Sequence, residues 1–141
     1  MGYSWGRSSK QKIRTLDPRW VEILDALIEA TQFDVTIVWA HRGEAEQNTA
    51  FANKASTLKW PMSKHNQYPS PAVDLAPWST AIQPAGIDWN DTRYFLVLAG
   101  MVIGIAKQLG YKVRWGGNWD GDAVIIDDQS LADLCHFELT D

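Results

Sequence analysis

The architecture of this chain is organised around the stretch Ser63-Lys64-His65-Asn66-Gln67-Tyr68-Pro69-Ser70-Pro71-Ala72-Val73-Asp74-Leu75-Ala76-Pro77. Its first half is rich in Asn, Ser and Pro, which favour turns, so His65 is predicted to lie in a loop. Residues 72–76 are apolar around Asp74 and are typical of a short buried strand. A carboxylate is costly to bury unless its charge is compensated, and a metal ion would compensate it.

A second short apolar stretch supplies another candidate ligand. His136 lies within Leu134-Cys135-His136-Phe137-Glu138-Leu139, which also predicts a strand. His65, Asp74 and His136 together form a set of two histidines and one carboxylate. Catalytic zinc uses this class of ligand and keeps its fourth position open for water. The spacing of the residues suggests such a site without fixing the metal.

These residues resemble the motifs of a known family. Ser63-x-His65 with Ala72-x-Asp74, and Asp133-x-x-His136-x-Glu138-Leu139, look like the motifs of the zinc D-Ala-D-Ala/hedgehog-type peptidases. The likeness is closest to the phage L-alanyl-D-glutamate peptidase endolysins. It continues in Trp39-Ala40-His41-Arg42, which resembles the family's Gly-Tyr-Arg strand end, and in Arg114-Trp115-Gly116-Gly117-Asn118-Trp119, which resembles its Trp-Gly-Gly-Asp-Trp turn.

The chain departs from the family pattern at several positions. Eight residues separate His65 from Asp74, where the commoner pattern has six, and Tyr68-Pro69-Ser70-Pro71 replaces its glycine. Asn118 stands in place of an Asp, and His41 in place of an aromatic residue. The ligand assignment survives these changes, whereas the loop conformation and details of the substrate subsites are left open.

The resemblance implies one catalytic domain over residues 1–141, with residues 1–16 as an N-terminal arm. The implied fold is α+β: a small, mostly antiparallel sheet carries the zinc site, and helices pack on one side of it. His65, Asp74 and His136 would hold Zn²⁺, Asp133 would act as the catalytic base, and Arg42 would face the substrate. Glu138 would share a strand face with His136 and act as its partner.

The implied function is hydrolysis of the L-Ala–D-Glu bond of the peptidoglycan stem peptide by zinc-activated water. Two alternatives stay open. One is a D,D- or L,D-carboxypeptidase of cell-wall peptides, and the other is a zinc-bearing wall-binding module without turnover. Asp133 favours an enzyme, because a pure binder would not need it.

Composition limits the partners. A net charge of −4 gives no electrostatic footprint for nucleic acid and no strong attraction to an anionic wall. A single cysteine excludes an internal disulfide, which fits a reducing cytoplasm. Residues 1–12 lack the apolar core of a signal peptide. We therefore expect a monomer that stays in the host cytoplasm until a separate holin releases it to the periplasm and cell wall.

The remaining elements follow from local signals. Asp17-Pro18 predicts the start of an amphipathic helix ending near Thr31, and residues 44–54 predict a polar helix. Residues 35–39 and 111–115 predict strands. The longest predicted helix, residues 91–109, has an apolar middle of about 20 Å, too short for a hydrocarbon core of about 30 Å. No membrane insertion is expected, and Gly100 and Gly104 are predicted to pack this helix against the sheet.

Three features have competing interpretations. Strand alternation turns Cys135 away from His136, which favours an inert buried thiol over a fourth ligand. Asp120, Asp122, Asp127 and Asp128 lie in an acidic loop that lacks the EF-hand frame, so a solvated loop is favoured over a calcium site. The eight tryptophans either fill the core or line a groove for sugars or peptides.

Overall fold

The computed structural model describes residues 2–125 and 133–141. In chain order the elements are α1 (Arg7–Ile13), α2 (Pro18–Ala30), β1 (Val35–Trp39), α3 (Glu44–Ala52), a 3₁₀ turn (Lys64–Asn66), β2 (Ala72–Pro77), α4 (Thr92–Gln108), β3 (Lys112–Gly116) and β4 (Asp133–Thr140). The predicted α+β class is confirmed.

One four-stranded sheet organises the molecule. Its strand order is β1-β2-β4-β3, and every neighbouring pair is antiparallel. The central pair, β2 and β4, places Asp74 directly opposite His136. The residue opposite Asp74 on β1 is Trp39, at the strand's C-terminal end. Pairing within the sheet therefore brings together two residues that are 62 positions apart in sequence.

The two faces of the sheet have different chemistry because side chains alternate along a strand. One face is apolar and packs against α2 and α4, with Val73, Leu75, Phe137 and Leu139 contributing to the core. The other face carries the buried polar residues Asp74, His136 and Glu138. The helical layer thus stabilises the sheet from behind and leaves the polar face for the site.

Helix α2 forms as its sequence predicts. Asp17 caps its N-terminus by accepting a hydrogen bond from the Arg19 backbone N–H at 2.9 Å, and Pro18 takes the first helical position. The apolar stripe is wholly buried and consists of Trp20, Ile23, Leu24, Leu27 and Ile28. Its burial against the sheet is the main reason that this segment is helical.

The segment 1–16, expected to be a partly ordered arm, contains helix α1 instead. This helix covers the free edge of β1: the Ile37 N–H donates to Ser9 Oγ at 3.1 Å, and Lys12 Nζ donates to the Ile37 carbonyl at 3.1 Å. Side chains thus satisfy backbone groups that an edge strand leaves open. The periodicity of a seven-residue polar helix is too short to predict this from sequence.

Helix α4 corrects a second expectation. It begins at the cap Asp91 and stops before Gly110, whose φ of 86° suits glycine, as predicted. Gly100 and Gly104, however, are exposed, and a Cβ built on either would meet nothing within 4 Å. The helix packs through Phe95, Leu98, Ala99, Val102 and Ala106 instead. Among the described residues, no helix combines the length and the apolar character needed to cross a bilayer.

Candidate active site

The loop before β2 holds His65 in place through its turn chemistry. Ser63 Oγ accepts the His65 N–H at 3.2 Å, and Asn66 Oδ1 accepts the Ser63 N–H at 3.0 Å, which forms a reciprocal cap. Further on, the fully buried Ser70 exchanges backbone hydrogen bonds with residues 15–17. These bonds fix the longer connection between His65 and Asp74.

Three donor atoms converge where this loop meets β2 and β4. His136 Nδ1 lies 3.0 Å from Asp74 Oδ1, His65 Nε2 lies 3.2 Å from the same oxygen, and the two nitrogens are 3.3 Å apart. Donor atoms bound tetrahedrally to one zinc ion at its usual bond lengths are about 3.3 Å apart. The spacing therefore fits a single metal ion at the centre of the triangle.

The protonation of the two imidazoles supports the same interpretation. His65 Nδ1 lies 2.7 Å from the Ala40 carbonyl oxygen, and His136 Nε2 lies 2.9 Å from Glu138 Oε1. Both partners accept hydrogen bonds, so each of these ring nitrogens carries the proton. In neutral histidines the opposite nitrogens then present lone pairs to the Asp74 carboxylate. Three acceptors facing one point require a cation or a proton between them.

Without a metal ion, a proton lies between the three acceptors, as the pKa values of Asp74 and His136 show. Burial disfavours the Asp74 carboxylate, but hydrogen bonds from His136 and His65 outweigh it and hold the pKa of Asp74 well below its usual range. Burial also disfavours the His136 imidazolium, but hydrogen bonds to Asp74 and Glu138 raise the pKa of His136 to about 9. A metal ion that binds here must displace the proton that makes His136 an imidazolium.

Arg42 is buried beside the cluster. Its Nη2 lies 3.9 Å from Asp74 Oδ2, and its guanidinium lies over the Trp39 ring, 4.7 Å from the centroid. Burial lowers the pKa of Arg42, and the charges of Asp74 and Asp133 oppose that shift. Its buried Nε has no hydrogen-bond partner among the described residues.

Gln47 on α3 is a site residue that sequence reasoning missed. Its side chain is fully buried; Oε1 accepts from Arg42 Nη1 at 2.9 Å, and Nε2 donates to the Leu58 carbonyl at 2.7 Å. It also bonds Asn66 at 3.1 Å and Ser56 at 3.0 Å. Gln47 thus ties Arg42, the His65 turn and the chain at residues 56–58 together. A polar residue in a weakly amphipathic helix gives no sign of this role.

Asp133 reaches the site because β4 is irregular at its start. The pairing of β3 with β4 shifts between Trp115 and Gly116, so that Gly116 lies opposite Asp133. A Cβ on Gly116 would lie 2.0 Å from the Asp133 carbonyl oxygen, so only glycine allows this approach. Asp133 lines the same groove as the three converging donors.

Cys135 is not among the converging donors of the described residues, as expected, but it is not isolated either. Its Sγ donates to Asp133 Oδ1 at 3.1 Å. Burial and the charges of Asp74 and Asp133 raise the pKa of Cys135, which keeps the thiol protonated and able to donate. Asp133 and Cys135 are two positions apart, so strand alternation places them on the same face, and this accounts for the contact.

The cluster opens into a groove of about 470 Å³. Trp119 forms one wall, 5.5 Å from the His136 ring, and Arg114 packs over it while pairing with Glu138 at 3.1 Å. Lys54 and Lys64 also line the groove. The described residues give neither lysine an ion-pair partner, so the groove is cationic although the chain carries a net charge of −4.

Two other features lie away from the cluster. His41 packs against Tyr68, with ring centroids 5.2 Å apart, and is not a member of the donor set. In the acidic loop, Asp120 and Asp122 are exposed, whereas Asp127 and Asp128 lie outside the described residues. The predicted choice between a solvated loop and a calcium site stays a prediction.

Fold and site together define an α+β domain with a buried His-Asp-His group that could hold a metal ion at the base of an open groove. Residues 1–140 match the family described as phage L-alanyl-D-glutamate peptidase, and the chain belongs to that family. It is 30% identical over 141 residues to the L-alanyl-D-glutamate peptidase of Escherichia phage T5, and the match covers 99% of both chains.

A solved structure supports the fold. The crystal structure of the Serratia marcescens L-Ala D-Glu endopeptidase ChiX superposes with a TM-score of 0.73 at 23% sequence identity. The match covers 94% of this chain and 86% of that one. The family resemblance read from the sequence motifs is confirmed by the family match over residues 1–140 and by the phage T5 relative.

Proposed function

We propose that this chain is a zinc-dependent peptidoglycan endopeptidase that hydrolyses the L-Ala–D-Glu bond of the stem peptide. The observation that carries the proposal is the convergence of His65, Asp74 and His136 in an open groove, within a chain of this family. The names of the phage and Serratia relatives support the choice of bond.

The residues fit zinc as the metal. Two imidazole nitrogens and one carboxylate oxygen at 3.0–3.3 Å from one another match its preferred ligands and tetrahedral spacing. A bound zinc ion supplies Lewis acidity and lowers the pKa of a water to about 7. Ala40 and Glu138 hold the two rings in the orientation that leaves their lone pairs inward.

Asp133 is proposed as the general base. It lines the groove without belonging to the donor set, so its carboxylate is free to take a proton from the attacking water and pass it to the leaving amine. The Cys135 thiol holds one of its oxygens by a hydrogen bond. Such a bond restrains the carboxylate without neutralising it.

Arg42 and the lysines of the groove are proposed to meet the negative charges of the substrate. Arg42 lines the groove beside Asp74, and its guanidinium suits the oxyanion that would develop at the scissile carbonyl. The leaving fragment begins with D-Glu, whose α-carboxylate is free. Lys54 and Lys64 offer ammonium groups for that carboxylate, which agrees with their lack of ion-pair partners among the described residues.

Digestion of purified peptidoglycan tests the proposal. The expected products are a new N-terminal D-Glu and a lactyl-L-Ala with a free carboxylate on the glycan, both identified by mass spectrometry. A chelator and the variant His136→Ala should abolish them. Free D-Ala as the sole new product would make the chain a carboxypeptidase. An unchanged wall with zinc fully bound would favour a non-catalytic binding module.

The route to the substrate is part of the proposal. The T5 relative is a phage protein, which supports action as an endolysin on a host wall. Accumulation as a monomer in the host cytoplasm and release by a separate holin complete this scheme. Expression without and with a holin, followed by culture turbidity, tests it: lysis should require both proteins.

A further inference from the structure

A second cavity lies at the other end of β2. It has a volume of about 430 Å³ and forms where the chain enters β1, leaves β2 and begins α4. It shares no lining residue with the groove of the candidate active site. Asp74 lies in that groove and Pro77 lines the second cavity, so about 10 Å of strand separates them.

Aromatic rings surround this cavity and remain open to solvent. Trp78, Tyr94 and Tyr3 line it, and their exposed fractions are 39%, 47% and 43%. Phe33 packs edge-to-face on Tyr94, with centroids 5.3 Å apart, and so fixes the direction of that ring. Three exposed aromatic side chains around one cavity indicate a binding surface. Electron-rich ring faces suit the C–H faces of sugar rings.

The polar groups of the cavity select among possible ligands. Asp91 is paired with Arg93 at 2.8 Å, so their charges cancel. Asp34 and Asp88 use one oxygen each for a backbone N–H, of Val35 at 2.9 Å and Asn90 at 3.1 Å. Neither has an ion-pair partner in the described part of the chain. Two such carboxylates repel anionic polymers and accept hydrogen bonds from hydroxyl and amide N–H groups.

We propose that this cavity binds the glycan strand of peptidoglycan, a neutral β-linked polymer of N-acetylated amino sugars. Stacking on Trp78 and Tyr94 would supply affinity, and Asp34 and Asp88 would accept from sugar hydroxyl and acetamido groups. The choice of polymer rests on the proposed function. Such a site attaches the domain to the wall without electrostatic attraction, which a net charge of −4 does not provide.

The test uses sugar ligands that contain no peptide bond, so binding is measured apart from hydrolysis. N-acetylglucosamine tetramer is titrated into ¹⁵N-labelled protein, and pull-down uses chitin, the uncharged β-linked polymer of N-acetylglucosamine. The indole N–H of Trp78 and the backbone amides of Trp78 and Tyr94 should shift, and the resonances of the groove residues should not. Shifts confined to the groove, or none at saturation, would overturn the proposal. So would equal shifts at Trp78 on adding a sugar-free stem peptide, because the cavity would then be a peptide site.

A matched pair of variants completes the test. Trp78→Ala removes a ring that lines the cavity, whereas Trp89→Ala removes a ring that is 54% exposed, stacks on Phe95 and lies outside the lining. Affinity for N-acetylglucosamine tetramer should fall about tenfold in Trp78→Ala and stay unchanged in Trp89→Ala. Hydrolysis of a soluble stem peptide should be unchanged in both.

The two proposals fail separately. If wild-type protein cleaves no L-Ala–D-Glu bond but binds N-acetylglucosamine tetramer through Trp78, the proposed function is wrong and the glycan site stands. If the bond is cleaved and Trp78→Ala binds the tetramer like the wild type, the glycan site is wrong.

Discussion

Replacing Gln47 by leucine tests whether this buried amide holds the site together. Leucine has nearly the same size but provides neither the acceptor for Arg42 Nη1 and Asn66 Nδ2 nor the donors for Ser56 and Leu58. A lost hydrogen bond to a charged group costs about 2 kcal/mol, and each lost neutral bond about 1 kcal/mol. Because Leu58 and Ser56 can turn partly to water, we expect a total loss of about 3 kcal/mol in the free energy of unfolding.

Gln47→Glu separates the bonds that Gln47 accepts from those that it donates. A carboxylate keeps the acceptor for Arg42 and Asn66, but it places an oxygen against the Leu58 carbonyl, which accepts from Gln47 at 2.7 Å. Stability should fall by only about 1 kcal/mol, since the new ion pair offsets part of the loss. The side of the groove formed by residues 56–58 should become more mobile. This change should raise KM for a soluble stem peptide more than it lowers kcat.

Urea unfolding of the metal-loaded protein measures the first effect, and steady-state kinetics measure the second. Gln67→Leu is the matched control, because Gln67 is exposed and its side chain makes no hydrogen bond among the described residues. An unfolding free energy of Gln47→Leu within about 0.5 kcal/mol of the wild type would refute the reasoning.

Three further predictions concern the metal and its neighbours. Elemental analysis should show that zinc is lost from His65→Ala, Asp74→Ala and His136→Ala. Asp133→Ala should keep its zinc and lose roughly 10² to 10⁴ in rate. An Asp133→Ala variant that is folded but metal-free would show that Asp133 is a ligand. Cys135→Ser should keep zinc and most activity, because a hydroxyl also donates to Asp133. Cys135→Ala should lower kcat a few-fold and leave the bound zinc unchanged. Loss of zinc in either variant would contradict this prediction. The raised pKa of His136, about 9 against 6.5 when unfolded, stabilises the metal-free protein fully below about pH 6.5, and this stabilisation should disappear as pH rises through about 9 in urea unfolding. Zinc must displace the same proton, so its apparent affinity should rise about tenfold per pH unit over that window; a flat profile would show that His136 is neutral in the metal-free state.

Local signals in the sequence predicted most of the secondary structure. The cap at Asp17, the apolar stripe of α2 and the stop at Gly110 each act over a few residues, so their effect is present in the sequence. The short apolar stretches around Asp74 and His136 likewise predicted strands. The family motifs added the grouping of His65, Asp74 and His136, and the structure brings the three together.

Tertiary structure alone decided the contacts between distant, individually unremarkable residues. Gln47 resembles a surface residue until α3 packs over the His65 turn and buries it. The approach of Asp133 to Gly116 requires the shifted pairing of β3 with β4. Helix α1 forms against the open edge of β1, and the second cavity forms where three separate segments meet. Periodicity and caps describe neighbours along the chain, whereas these features depend on how whole elements pack.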